Sequence, residues 1–181
     1  VALFVSMLYA GSLALQFPIG WISDRMDRRL LILALSAAGA AATMGGWLSD
    51  TLWPVMAAAF VAGGLANSLY SLLIAHTNDF LAREDMASAS GGLVFIYGLG
   101  AISGPLIAGA AMERAGNAAF WPVVGALFLL VAVYAAWRTT RRPVVPMAET
   151  APFVSVPEAS TPVAVEAAQE AAQDLAELKA E

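Results

Sequence analysis

Long apolar runs, separated by short polar patches, set the pattern of this chain. They cover residues 1–22, 30–48, 53–75, 87–112 and 120–137. Each is near the roughly 20 residues that a helix needs to cross about 30 Å of hydrocarbon. Helix is the form a bilayer dictates, because backbone groups in lipid must be satisfied within their own segment. A transmembrane barrel would alternate polar and apolar residues in ten-residue strands, and these runs do not alternate. The pattern predicts an all-α integral membrane protein, with five transmembrane helices in a bundle domain over residues 1–142.

From Pro143 onward the pattern changes. Pro143, Pro146, Pro152, Pro157 and Pro162 punctuate Ala, Val, Thr and Glu, a composition typical of disordered linkers. Beyond Glu166 the prolines stop, and a short solvated helix is compatible with the Ala, Gln and Glu that follow, though marginal alone. Residues 143–181 are therefore expected to form a mostly disordered, acidic cytoplasmic tail.

Composition sharpens this picture. The chain is 60% hydrophobic and 13% charged, with a mean hydropathy of +0.72. Soluble domains are nearer half apolar and a quarter charged. The formal charge of −5 is unevenly placed. Residues 1–142 hold eight arginines against seven acids, and the tail holds one lysine against seven acids. Neither part has the basic surface of a nucleic-acid binder. The chain has no cysteine, which excludes disulfides and thiolate metal sites.

Arginine placement gives orientation. Arg25, Arg28 and Arg29 follow the first run, Arg83 follows the third, and Arg138, Arg141 and Arg142 follow the fifth. The opposite loops carry only Arg114. The positive-inside rule puts the first set, and the carboxyl terminus, in the cytoplasm. Trp21, Trp47, Trp53, Trp121 and Trp137 fall at run ends, as an aromatic belt requires. Trp53-Pro54 and Trp121-Pro122 each open a run, where proline costs no helical hydrogen bond. The chain opens inside an apolar run without an initiator methionine or a charged leader. With five spans and the carboxyl end inside, the amino end lies outside, so at least one preceding helix is expected.

The most informative stretch is Gly20-Trp-Ile-Ser-Asp24-Arg25-Met-Asp27-Arg28-Arg29. Gly20 and Asp24 are one helical turn apart on one face. The glycine admits a neighbouring helix, and the carboxylate at the membrane surface is placed to cap a helix or pair with arginine. A generic positive-inside loop accounts for the arginines, but not for glycine, aspartate and arginine in register. The stretch resembles the signature loop of the major facilitator superfamily, Gly-x-x-x-Asp-Arg/Lys-x-Gly-Arg-Arg/Lys, with Asp27 standing where the family usually has glycine.

In that family the loop follows the second helix, and a weaker copy follows the eighth. Four more runs and a tail come after it here, so the resemblance implies helices 8–12 of a twelve-helix fold. Gly100-Ala-Ile-Ser-Gly104-Pro105 with Gly109 resembles the Gly-x-x-x-Gly-Pro element of the family's fifth helix, which is mirrored in the eleventh. Gly100 and Gly104 make a small-residue face suited to tight helix contact, and Pro105 bends its helix. Plain packing and gating both fit this element.

Asn67-Ser68-Leu-Tyr70-Ser71, its continuation to Asp79, and the Gln16-Phe-Pro-Ile-Gly20 approach are similar to a YcaD-like bacterial subgroup of facilitators. The resemblance implies that the run holding Asn67 lines a central cavity. Asn67 and Ser71 are an i, i+4 pair able to face one space. Tyr70 is a turn from Asn67, and Gln16 is a further cavity candidate. The competing reading is a helix–helix hydrogen bond.

The run interiors lack Asp, Glu, Lys, Arg and His, the residues that usually mark ion or proton paths in membranes. No metal site or cofactor is expected, and nucleophilic catalysis leaves no motif. A membrane enzyme would need clustered ionisable groups, for which His76 with Asp79 is the one pair. The other rival is a structural or partner-binding membrane subunit.

The expected function is translocation of a small solute, in the cell's inner (plasma) membrane. The expected partners are that solute, the lipid bilayer and the missing N-terminal half of the same transporter. Asp79 is expected to pair with Arg25 or Arg28, Asp24 to find its helix terminus in the absent half, and Ala132 to face lipid.

Overall fold

The computed structural model of the chain describes residues 2–78, 86–141 and six residues between 163 and 171. Asp79 and residues 142–162 lie outside the described residues, as does most of the tail. Five long helices account for the rest: α1 (Ala2–Ser23), α2 (Arg28–Trp47), α3 (Leu52–Asn78), α4 (Met86–Ala115) and α5 (Phe120–Thr139). All five are long and apolar enough to cross a membrane. They match the five apolar runs, and no strand occurs among the described residues.

The helix ends follow from local chemistry. Asp27 is the N-cap of α2, and its carboxylate accepts the Arg29 backbone N–H at 2.9 Å. That cap draws Arg28 and Arg29 into the first turn of α2, where both are buried, whereas the apolar pattern alone places them in a loop. α4 runs past its apolar stretch through Glu113 and Arg114 and stops at Gly116. That residue has φ +82, and its N–H donates to the Met112 carbonyl at 2.9 Å. This positive-φ backbone, with ψ 171, is one that glycine adopts without strain.

α3 sits between α1 and α2, and α5 packs on the far side of α2, giving a row in the order α1, α3, α2, α5. The core runs along this row, with Ile19, Leu31, Ile32, Leu65, Leu69, Leu72 and Phe128 packed together. Two kinds of glycine contact hold the row. Between α1 and α3 backbones meet directly: a Cβ on Gly11 would collide with the Phe60 carbonyl, and one on Gly64 would lie 2.6 Å from the Gly11 oxygen. The Ser12 hydroxyl donates across the same seam to the Gly63 carbonyl at 3.1 Å. Between α2 and α5 the glycines receive side chains. Phe128 fills the space over Gly39, Thr43 meets Gly125, and Trp121 lies on Gly46. The spacings of three and four on both helices, with numbering in opposite directions, describe an antiparallel ridge-and-groove seam.

Two expectations change here. Trp121 is 5% exposed, so it belongs to the α2–α5 seam and not to an aromatic belt. The bare Cα of Gly46 makes room for it. The other four tryptophans remain exposed near helix ends. Ala132 is buried with Phe128 and Ala135 on the α2-facing side of α5, and Leu129, Leu130 and Val133 face outward instead.

α4 stands apart from the row. Of its described side chains only Ser90 is buried. It meets α5 and the 117–119 turn near its far end. Closer to its start, Leu93 packs on Ile74, and Tyr97 makes an edge contact with Tyr70 at 5.8 Å between ring centroids. In water such a helix would be an exposed apolar hazard, but in lipid its satisfied backbone is sufficient.

Candidate functional site

The signature stretch begins as the last turn of α1. Gly20 is buried and Asp24 exposed. Arg25 folds back along α1: its guanidinium donates through Nη1 to the Trp21 carbonyl at 2.9 Å and lies 4.1 Å above the Trp21 ring. Such a cation–π contact is worth roughly 0.5–1 kcal/mol at an exposed site. The helix terminus beside the stretch, that of α2, is capped by Asp27. The expected pairing of Asp79 with Arg25 or Arg28 falls on a residue outside the described ones.

The departure from the family pattern has a physical account. N-cap positions favour Asp, Asn and Ser, and tolerate Gly almost as well. Asp27 and the usual glycine are thus two solutions to the same helix start.

The second group sits on α3. Asn67 and Tyr70 are half-buried beside the exposed positions Ala66 and Leu73. Ser71 is 1% exposed, and its hydroxyl donates back to the Asn67 carbonyl at 3.5 Å. Asn67 and Tyr70 therefore edge an open face, while Ser71 is turned into the helix packing. Gln16 is half-buried on α1. Tyr97, opposite Tyr70, was not among the residues singled out in the sequence. A tyrosine in the middle of a mostly apolar span, about one turn before Gly100 and two before Gly104, is the signal that marks it.

The third group lies on α4. No atom comes within 4 Å of a Cβ placed at Gly100, Gly104 or Gly109. Pro105 lies inside the helix. The tight contacts expected of these glycines occur instead at Gly11, Gly63 and Gly64, on α1 and α3. The small-residue face of α4 is thus open along its length. Charged side chains on the described spans are confined to terminal turns: Arg28 and Arg29, Glu113 and Arg114, and Arg138. Among the described residues, no three His, Cys, Asp or Glu side chains gather as a metal site would need.

A family model described as the Major Facilitator Superfamily matches residues 1–171. The chain belongs to the major facilitator superfamily. A curated relative, the uncharacterized MFS-type transporter YfkF of Bacillus subtilis (strain 168), is 26% identical over 113 residues. That match takes in 62% of this chain and 29% of the relative, so the facilitator chain spans less than a third of the relative's length. No solved structure matches it. The comparisons reach the superfamily and carry no subgroup. As a facilitator, this is a multi-pass membrane protein.

Proposed function

We propose that this chain is part of a secondary transporter that moves a small solute by alternating access, and that its helices are the eighth to twelfth of a twelve-helix facilitator. The solute would be held between this helix set and the N-terminal half of the same transporter, at the repeat interface near the bilayer midplane. The observation that carries this is the open face of α4 beside the half-buried Asn67 and Tyr70 of α3. A long span with small residues, a proline and almost no buried side chain fits a helix that works against a second set of helices. Asn67 and Tyr70 are the polar groups at this face, with Ser71 behind it, and Gln16 of α1 is a further cavity candidate. Gly100, Gly104, Pro105 and Gly109 supply its shape. The transporter reads as an inner-membrane protein with its carboxyl terminus in the cytoplasm, working without a cofactor.

The chain has no cysteine, so thiol labelling offers a test. Asn67→Cys, in the full-length protein on a cysteine-free background, should react with a membrane-impermeant thiol reagent added from either side of sealed vesicles. Alternating access requires both. Reaction from one side only, or from neither, returns Asn67 to helix packing and favours a structural subunit.

A further inference from the structure

At the basic ends of α2, α3 and α5 a cleft of about 50 Å³ opens between the three helices. It is smaller than the roughly 300–1,000 Å³ of pockets that enclose whole small molecules, so a ligand lies along it with only part of itself inside. Its wall is carbon, from Ile32, Leu73, Val131 and Ala135. Yet each helix also contributes a basic side chain to it: Arg29 from the first turn of α2, His76 from the last turn of α3 and Arg138 from the last turn of α5. A positive-inside bias alone would leave such residues in solvated loops. Arg29 is instead 6% exposed. Arg138 is held in place by donating through Nη1 to the Tyr134 hydroxyl at 3.0 Å, a bond that uses one of its five N–H donors.

The depth of the cleft is marked by its neighbours. Tyr134 lines it, and Tyr134 and Trp137 stand exposed together on α5, with ring centroids 6.0 Å apart. Exposed aromatic pairs of this kind sit at headgroup level. A groove whose wall is apolar, and whose helix-end residues are basic, matches a ligand with the same two parts. Basic pockets between helix ends bind anionic headgroups by charge, with the guanidinium fork suited to phosphate oxygens.

We propose that this cleft is a binding site for an anionic phospholipid. Its phosphate sits at Arg138 and Arg29, with His76 beside it, and one acyl chain runs along Leu73, Val131 and Ala135. A zwitterionic lipid has the same chains without the net charge, and a free phosphate has the charge without the chains. Each therefore isolates one half of the match.

The test is native mass spectrometry of the purified full-length protein in a neutral detergent. It is titrated in turn with phosphatidylglycerol, phosphatidylcholine of equal chain length, and glycerol phosphate. Phosphatidylglycerol should be retained at least fivefold more than either of the others. Arg138→Gln should abolish that preference, while Arg114→Gln, at the opposite end of the spans, should preserve it. Leu73→Trp, which fills the cleft without changing charge, should lower retention of both lipids. Equal retention of the two lipids, unchanged preference in Arg138→Gln, or glycerol phosphate binding as well as phosphatidylglycerol would each overturn the proposal.

Discussion

The Trp121 indole lies on the bare Cα of Gly46, so close that a Cβ at that position would sit 2.6 Å from ring atom Cε2. Neither partner can yield easily, because Trp121 is also wedged against Phe4 and Phe120 in edge-to-face contacts. Gly46→Val should therefore destabilise the protein by roughly 1–3 kcal/mol, the usual cost of overpacking, measured as thermal unfolding in detergent. Gly45, one residue earlier, has nothing within 4 Å of its Cβ position. Gly45→Ala should be neutral, or stabilising by about 0.5–1 kcal/mol through helix propensity. Equal losses at both positions would mean that the α2–α5 seam is placed wrongly.

A second contrast separates packing glycines from open ones. At Gly11 the obstruction is the Phe60 backbone, which cannot rotate away, so Gly11→Ala must push α1 from α3 and strain the Ser12–Gly63 hydrogen bond. It should lower the melting temperature and the yield of folded protein. A Cβ at Gly104 has nothing within 4 Å, so Gly104→Leu should melt like the parent. If α4 works against a second set of helices, however, Gly104→Leu should reduce transport in the full-length protein. Unimpaired transport would count against that role for α4.

At the signature stretch, Asp27→Gly restores the residue usual in the family and should cost only a few tenths of a kcal/mol. Asp27→Ala removes the side-chain cap on the Arg29 N–H and should cost about 0.5–2 kcal/mol. Thermal melts of the two variants decide the matter. An alanine variant as stable as the glycine one would show that the 2.9 Å cap bond contributes nothing.

The seam between α2 and α5 also fixes topology. It puts Gly46 and Trp121 at one level, so Asp50 and the turn before α5 lie on the same side, and the end of α5 on the other. Reporters fused at Asp50 and after residue 142 should report opposite faces of the membrane, the latter cytoplasmic by its arginines. Two fusions on the same face would contradict both the seam and the arginine count.

How far the sequence could be read depended on which force decides each feature. The helices were legible because lipid imposes length and apolarity on every span. Some of their ends shifted where capping intervened, as at Asp27, which carried Arg28 and Arg29 into α2. Which glycines make contact was not legible. Gly100 and Gly104 present the small-xxx-small spacing, while Gly11, Gly63 and Gly64 make the closest approach. The spacing says that a backbone can be approached; the identity of the neighbour is a tertiary fact. Ala132 and Trp121 show the same limit. In a span that is apolar all round, hydrophobicity cannot tell the face that meets another helix from the face that meets lipid. At the open face, Asn67 and Tyr70 stood out as polar residues in apolar surroundings. Tyr97 needed the fold to place it opposite Tyr70.

The row order sets a schedule for synthesis. Neighbours in the chain are not always partners in the bundle: α1 pairs with α3, and α2 waits for α5 to complete its second seam. Between Trp47 and Phe120, at about 5–20 residues per second, some 4–15 seconds of translation pass. Throughout that interval the slots over Gly39 and Gly46 face lipid or insertion machinery instead of Phe128 and Trp121. A ribosome pause or a truncation ahead of residue 120 would leave α2 with one seam empty, so quality control of this protein should act on that half-finished row.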